Sequence, residues 1–168
     1  CGYATTDFDL WPETSKMILV LLMFIGACAG STGGGFKISR LLILCKAIPK
    51  QLSLVIHPRE VKVIRMDGKP IDHNTLRSTN VYLAIYFFIL LVSTLLISVD
   101  NFNLTTNFTA VASTLNNIGP GLDGVGPTRN FGMYSDFSKF VLMFDMLAGR
   151  LELYPLLILF MPSLWRRK

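Results

Sequence analysis

The chain has 168 residues, of which 51% are hydrophobic and only 16% charged, a balance too apolar for an ordinary soluble domain and suited to a membrane protein. Its net charge of +5 does not point to nucleic acid, because no basic stripe is interleaved with aromatic residues and apolar segments dominate. Cys1, Cys28 and Cys45 have neither metal-ligand spacing nor the even count of a disulfide framework, so they are most simply read as packing or backbone positions.

In chain order, the opening "CGYATTDFDLWP" carries neither an initiator methionine nor a signal-peptide pattern and reads as a piece of something longer. Residues 17–45 approach membrane-spanning length, but Gly30-Ser31-Thr32-Gly33-Gly34-Gly35 interrupts them. Non-helical backbone at membrane depth is tolerated only where it is buried in protein or lines a cavity, so this loop is expected to face a pore. A second reading stands beside it: Gly26, Gly30 and Gly34, at four-residue spacing, also suit a small-residue packing face. A phosphate loop is not supported, because Phe36 separates the glycines from Lys37. Ser31 has no membrane-embedded histidine to activate it as a nucleophile, and the chain is not read as an enzyme.

In "VKVIRMDGKPI", apolar and polar residues alternate up to Asp67-Gly68, which predicts a β-hairpin. His57 and His73 flank it without a metal pattern and read as solvated loop residues. Residues 79–99 form a second span, and "LTTNFTAVASTL" at 104–115 is too short to cross. That short segment fits a helix that dips into the bilayer and returns; an amphipathic surface helix is the alternative. Asn103 and Asn107 match glycosylation sequons but overlap this segment and are discounted. A third span covers 137–164 and holds Arg150 near its middle, where an unpaired charge costs at least about 2.5–3.5 kcal/mol. Asp145 and Glu152 lie five and two residues away, the wrong offsets for a pair on one helix face.

Charge sets the orientation. Residues 37–77 carry nine basic residues against Glu60, Asp67 and Asp72, and the tail adds Arg166, Arg167 and Lys168. Residues 1–16 and 100–136 are mainly acidic, so the positive-inside rule puts the basic loop, its hairpin and the C-terminus in the cytoplasm. "CGYATTDFDLWPETSKMILVLLMF" and "NNIGPGLDGVGPTRNFGMYSDFSKFVLMF" share an order of loop then helix, the mark of a repeated unit.

Four motifs in order, "CGYATTDFDLWP", "GACAGSTGGGFK", "TLNNIGPGL" and "GRLELYPLLILF", give the chain its resemblance to the Trk-type potassium uptake family of the Trk/Ktr/HKT superfamily. The resemblance implies an all-α membrane protein built of helix–pore loop–helix repeats around one potassium-channel-like pore, with a small cytoplasmic β-hairpin. Residues 1–48 would end the third repeat, 49–78 form the basic loop, and 79–168 supply the fourth repeat. Cys1, Gly2 and Tyr3 would line the third filter corner and Asn117, Ile118 and Gly119 the fourth, with Asn116 as support and potassium at the Gly2 and Gly119 backbone. Gly30, Ser31, Thr32, Gly33, Gly34 and Gly35 would form a gate loop beneath the filter. Arg150 would face the pore as a positive barrier, while a structural pair with another helix is the alternative.

The resemblance further implies potassium uptake in the bacterial inner membrane by a multi-pass protein with no cofactor beyond the transported ion. It also implies a homodimer in membrane lipid on a ring of TrkA-like cytosolic nucleotide-binding regulatory subunits. A single glycine per filter corner implies some passage of sodium. A competing class is a secondary transporter whose discontinuous helix carries an organic anion or amino acid. A half-length helix followed by a glycine turn at 104–122 favours the filter over the transporter.

Overall fold

The computed structural model describes residues 2–28, 30–31, 34–57, 63–66, 68–151, 155 and 158. Cys1, Thr32, Gly33, Asp67, Glu152, the basic tail and most of 152–164 lie outside the described residues.

The first polar loop is organised by Asp7, whose carboxylate accepts from the Asp9 N–H at 3.0 Å and starts a single 3-10 turn over Phe8–Leu10. Helix α1 (Glu13–Phe24) follows Pro12, with Glu13 in its first turn, where negative charge suits the helix dipole. At Ile25 the backbone becomes extended and forms a parallel bridge with Phe36. The Gly26 N–H donates to the Phe36 carbonyl at 2.9 Å and the Ile38 N–H to the Ala27 carbonyl at 3.3 Å, pinching off the glycine segment as a closed loop. Helix α2 (Ile38–Ile56) then runs for 19 residues with Pro49 inside it.

The glycine stretch within residues 17–45 is a bridged loop that joins α1 to α2. Helix α2 passes beyond residue 45 to Ile56. Leu41 and Leu44 pack against the core and the Arg40 guanidinium stands 4.0 Å over the Tyr82 ring, so one face of α2 is held by the rest of the protein.

Strand β1 (Arg65–Met66) pairs antiparallel with β2 (Lys69–Pro70), with Met66 opposite Lys69. Gly68 has φ +77°, the left-handed conformation that a two-residue hairpin turn demands. The Ile71 N–H extends the ladder to the Ile64 carbonyl at 2.8 Å, and the Lys46 ammonium reaches across from α2 to the Arg65 carbonyl at 2.9 Å.

Helix α3 (His73–Ile97) continues through a 3-10 turn to Asp100; this unit is the one helix among the described residues long and apolar enough to cross a membrane. Helix α4 (Leu104–Leu115) has the bounds that the sequence predicts and is enclosed by α1, α3 and α5 (Asp136–Leu151). Thr106, Asn107 and every residue from Thr109 to Leu115 are buried, so α4 is not a surface helix. Its polar side chains satisfy themselves within the protein: Thr109 donates to the Thr105 carbonyl at 2.7 Å and Thr114 to the Ala110 carbonyl at 2.9 Å. Asn107 accepts from the Tyr134 hydroxyl at 2.9 Å and donates to the Phe102 carbonyl at 3.2 Å, which leaves it no role as a glycan acceptor.

A buried polar bond joins helices α3 and α5. The Ser93 hydroxyl donates to Asp145 Oδ1 at 2.7 Å, and the Asp145 side chain is completely buried. Its Oδ2 has no hydrogen-bond partner among the described residues. A buried oxygen left without its donor costs about 1–3 kcal/mol, so Ser93→Ala should lower the thermal stability of the purified protein by an amount in that range. Unchanged melting in detergent would mean that the bond contributes nothing to helix pairing.

Candidate functional site

The candidate segment begins where α4 stops. Asn117 has φ +55°, its N–H donates to the Thr114 carbonyl at 3.1 Å, and the Ile118 N–H donates to the Ser113 carbonyl at 2.9 Å. These paired bonds around a left-handed residue form a Schellman cap, and asparagine is the non-glycine residue that best tolerates that conformation. Gly119 follows with φ +115°, which a residue with a side chain rarely adopts. The Ser113 hydroxyl donates to the Gly119 carbonyl at 2.5 Å, tying the turn back to the helix that precedes it. A carbonyl oxygen has two lone pairs, so this bond leaves a second acceptor direction. A cavity of about 180 Å³ lined by Ser113, Thr114, Asn117, Ile118, Gly119 and Met146 opens at the turn.

Gly2, more than a hundred residues earlier, lies against the same turn. Its φ is +71°, and a Cβ built on it would lie 2.5 Å from Pro120 Cδ and 2.8 Å from the Ile118 carbonyl oxygen. The structure thus brings Gly2, Ile118 and Gly119 together, while Tyr3 points outward with 98% of its surface exposed. The two loops are also joined by Asp9, whose carboxylate accepts from the Asp123 N–H at 3.0 Å.

Asn116, at the C-terminal end of α4, is held by a residue that sequence reading passed over. The Tyr86 hydroxyl on α3 donates to Asn116 Oδ1 at 2.8 Å, and Asn116 Nδ2 donates to the Ala112 carbonyl at 2.8 Å. Tyr86 sits inside a long apolar run, where only its hydroxyl distinguishes it from its phenylalanine neighbours.

The glycine segment docks beneath this asparagine. A Cβ on Gly34 would lie 2.6 Å from the Asn116 carbonyl oxygen, so only glycine permits so close an approach of the two backbones. From the other side, a Cβ on Gly149 of α5 would come 1.9 Å from the Leu115 carbonyl oxygen. Gly26 and Gly34 therefore do serve close packing, but loop against loop and loop against helix end rather than along one helix face. Gly30 has φ +83° and stands apart, meeting no atom within 4 Å of an added Cβ among the described residues. The Ser31 carbonyl accepts from the Lys37 ammonium at 2.6 Å, whereas the Ser31 hydroxyl is buried without a hydrogen-bond partner among the described residues. Arg150 is exposed in the last turn of α5, one residue beyond Gly149 at its crossing with α4. Cys1, Thr32 and Gly33 fall outside the described residues.

A helical chain that encloses a half-length helix and ends it in a left-handed glycine turn fits the class of membrane cation transport proteins. Residues 1–167 match the TrkH family, described as cation transport protein, and the chain belongs to that family. It is similar to the Trk system potassium uptake protein TrkH of Vibrio parahaemolyticus, 39% identical over 165 residues, and to TrkH of Escherichia coli K12, 36% identical over 165 residues. Escherichia coli TrkG is 33% identical over 165 residues. In each of these comparisons 98% of this chain is matched, and the chain spans 34% of the relative's length. The crystal structure of the potassium transporter TrkH from Vibrio parahaemolyticus superposes with a TM-score of 0.87 at 39% identity, covering 98% of this chain and 35% of that one.

Asp123 sits at the junction of the two loops in a left-handed conformation, φ +57°. Hydrogen bonds from Asn103 and then Thr106 hold its carboxyl below the usual carboxylate range. A depressed native pKa contributes stability above the unfolded value, about 3.9, and that contribution is lost as pH falls through the native value. Melting temperature should therefore fall on acidification below about pH 4, and Asp123→Asn should flatten part of that acid limb. An identical limb in the variant would remove Asp123 from the junction's energetics.

Proposed function

We propose that the chain forms the third-corner filter loop and the whole fourth repeat of a potassium uptake pore. Gly119 carries this reading: it is left-handed at the end of a buried half-length helix and lies against Gly2. A potassium filter must replace the ion's hydration shell with carbonyl oxygens, which takes an unusual backbone held inside protein. The C-terminal end of α4 carries partial negative charge toward that turn, which favours a cation. Relatives named as Trk potassium uptake proteins support potassium as the ion.

On this reading the protein passes several times through a bacterial inner membrane, with 37–77 and its hairpin in the cytoplasm. Residues 1–48, 49–78 and 79–168 are then the end of one repeat, a basic connection and a complete repeat. The segment Gly30–Gly35 is the gate, obstructing the path below the filter, and Arg150 adds a positive barrier. The assembly is a homodimer that docks on cytosolic nucleotide-binding regulatory subunits, for which the basic connection is a suitable contact.

Rubidium uptake against labelled amino acid uptake, by the full-length protein in deficient cells, tests the class. Rubidium alone should enter. Gly119→Ser should reduce discrimination of potassium over sodium more than it reduces expression, because a side chain there forces the filter backbone out of its conformation. A well-expressed variant with unchanged discrimination would remove Gly119 from the filter.

A further inference from the structure

Lys37 occupies a position where elementary rules place a different residue. It is the N-cap of α2, a site that favours Ser, Thr, Asp or Asn, and it brings a positive charge to the positive end of the helix dipole. It is also 94% buried, at 6% relative exposure, although lysine is almost never buried without a partner. Sequence reading counted it as one more cytoplasmic charge.

The geometry explains the anomaly. The Lys37 ammonium reaches back six residues to the Ser31 carbonyl at 2.6 Å, a charge-assisted bond across the neck of the glycine segment. On its own side, Phe36 bridges Ile25 and lies 6.1 Å from the Tyr82 ring, and the Arg40 guanidinium stands 4.0 Å over that same ring. The start of α2 is thus fixed to α3, and Lys37 extends that fixed point into the loop. Gly34 and Gly35 between them rest on Asn116.

We infer that Lys37 is a positioning residue that holds the glycine loop docked under Asn116 by its bond to the Ser31 carbonyl. The bond breaks when the loop moves, so Lys37 sets how readily the loop undocks. This deepens the gate reading and rests on it for any effect on ion flux. The docking itself does not depend on that reading.

The test uses the full-length protein in lipid with Lys37→Met, which keeps the length of the side chain and removes its charge and donors, and Lys37→Arg, which keeps both. Amide exchange over residues 26–37 reports docking; basal rubidium flux per folded molecule reports gating. Lys37→Met should speed exchange about tenfold, the factor equivalent to about 1.4 kcal/mol, and Lys37→Arg should restore much of the protection. Lys37→Gln, which keeps donors without charge, covers the case in which Lys37→Met does not assemble, and should show intermediate protection. Unchanged exchange in the uncharged variants would overturn the inference. Faster exchange with unchanged flux would uphold the docking role and count against the gate reading instead.

Discussion

Everything around the candidate site depends on the close approach of two backbones to the last residues of α4. Gly34 comes under the Asn116 carbonyl, and Gly149 of α5 closes on the Leu115 carbonyl. A methyl group at either position would overlap a backbone atom, which cannot rotate away as a side chain can. The short helix is therefore clamped at its C-terminal end by elements from both ends of the chain, and the left-handed turn that follows inherits its position from that clamp.

Polarity makes the same arrangement necessary. A twelve-residue helix rich in threonine, serine and asparagine would be a poor choice against lipid, and too short to cross it. Enclosed by α1, α3 and α5, it offers hydroxyl and amide groups that bond back to its own carbonyls and to the turn. Ser113 holds Gly119, Asn116 receives Tyr86, and Asn107 receives Tyr134. Each tyrosine presents its ring to the core and its hydroxyl to an asparagine, so a buried polar helix costs little. The loop junction at Asp9 and Asp123 completes the support from the polar side.

Much of this was legible in the residues. The bounds of α4 follow from an apolar run too short to cross a membrane, flanked by polar segments, and the Asp67-Gly68 pair marks the hairpin. Asn116-Asn117 before Gly119 carries the cap in its spelling. What escaped were features that need the third dimension. Helix α2 runs on to Ile56, beyond the apolar segment that ends near residue 45, because apolarity marks a possible span and not the end of a helix. Asp145 was weighed only as a partner for Arg150, whereas it turns to Ser93 on α3, 52 residues away in sequence. Tyr86 and Lys37 carried no local signal beyond an out-of-place hydroxyl and an out-of-place charge. Gly26, Gly30 and Gly34 at regular spacing offered one helix face as the alternative reading, but the bridge between Ile25 and Phe36 folds that stretch into a loop in which, among the described residues, Gly26 and Gly34 make close contacts and Gly30 makes none.

On the proposed reading, the glycine loop controls ion passage through its seat on Asn116. Gly34→Ala in the full-length protein tests this, since the added methyl group must displace the loop from the Asn116 carbonyl, with Gly68→Ala as a control that strains a left-handed turn in the hairpin instead. Rubidium flux and potassium over sodium discrimination, measured per folded molecule, should both change for Gly34→Ala and change far less for Gly68→Ala. Folded Gly34→Ala protein with the flux and discrimination of the parent would show that the seat on Asn116 does not control passage.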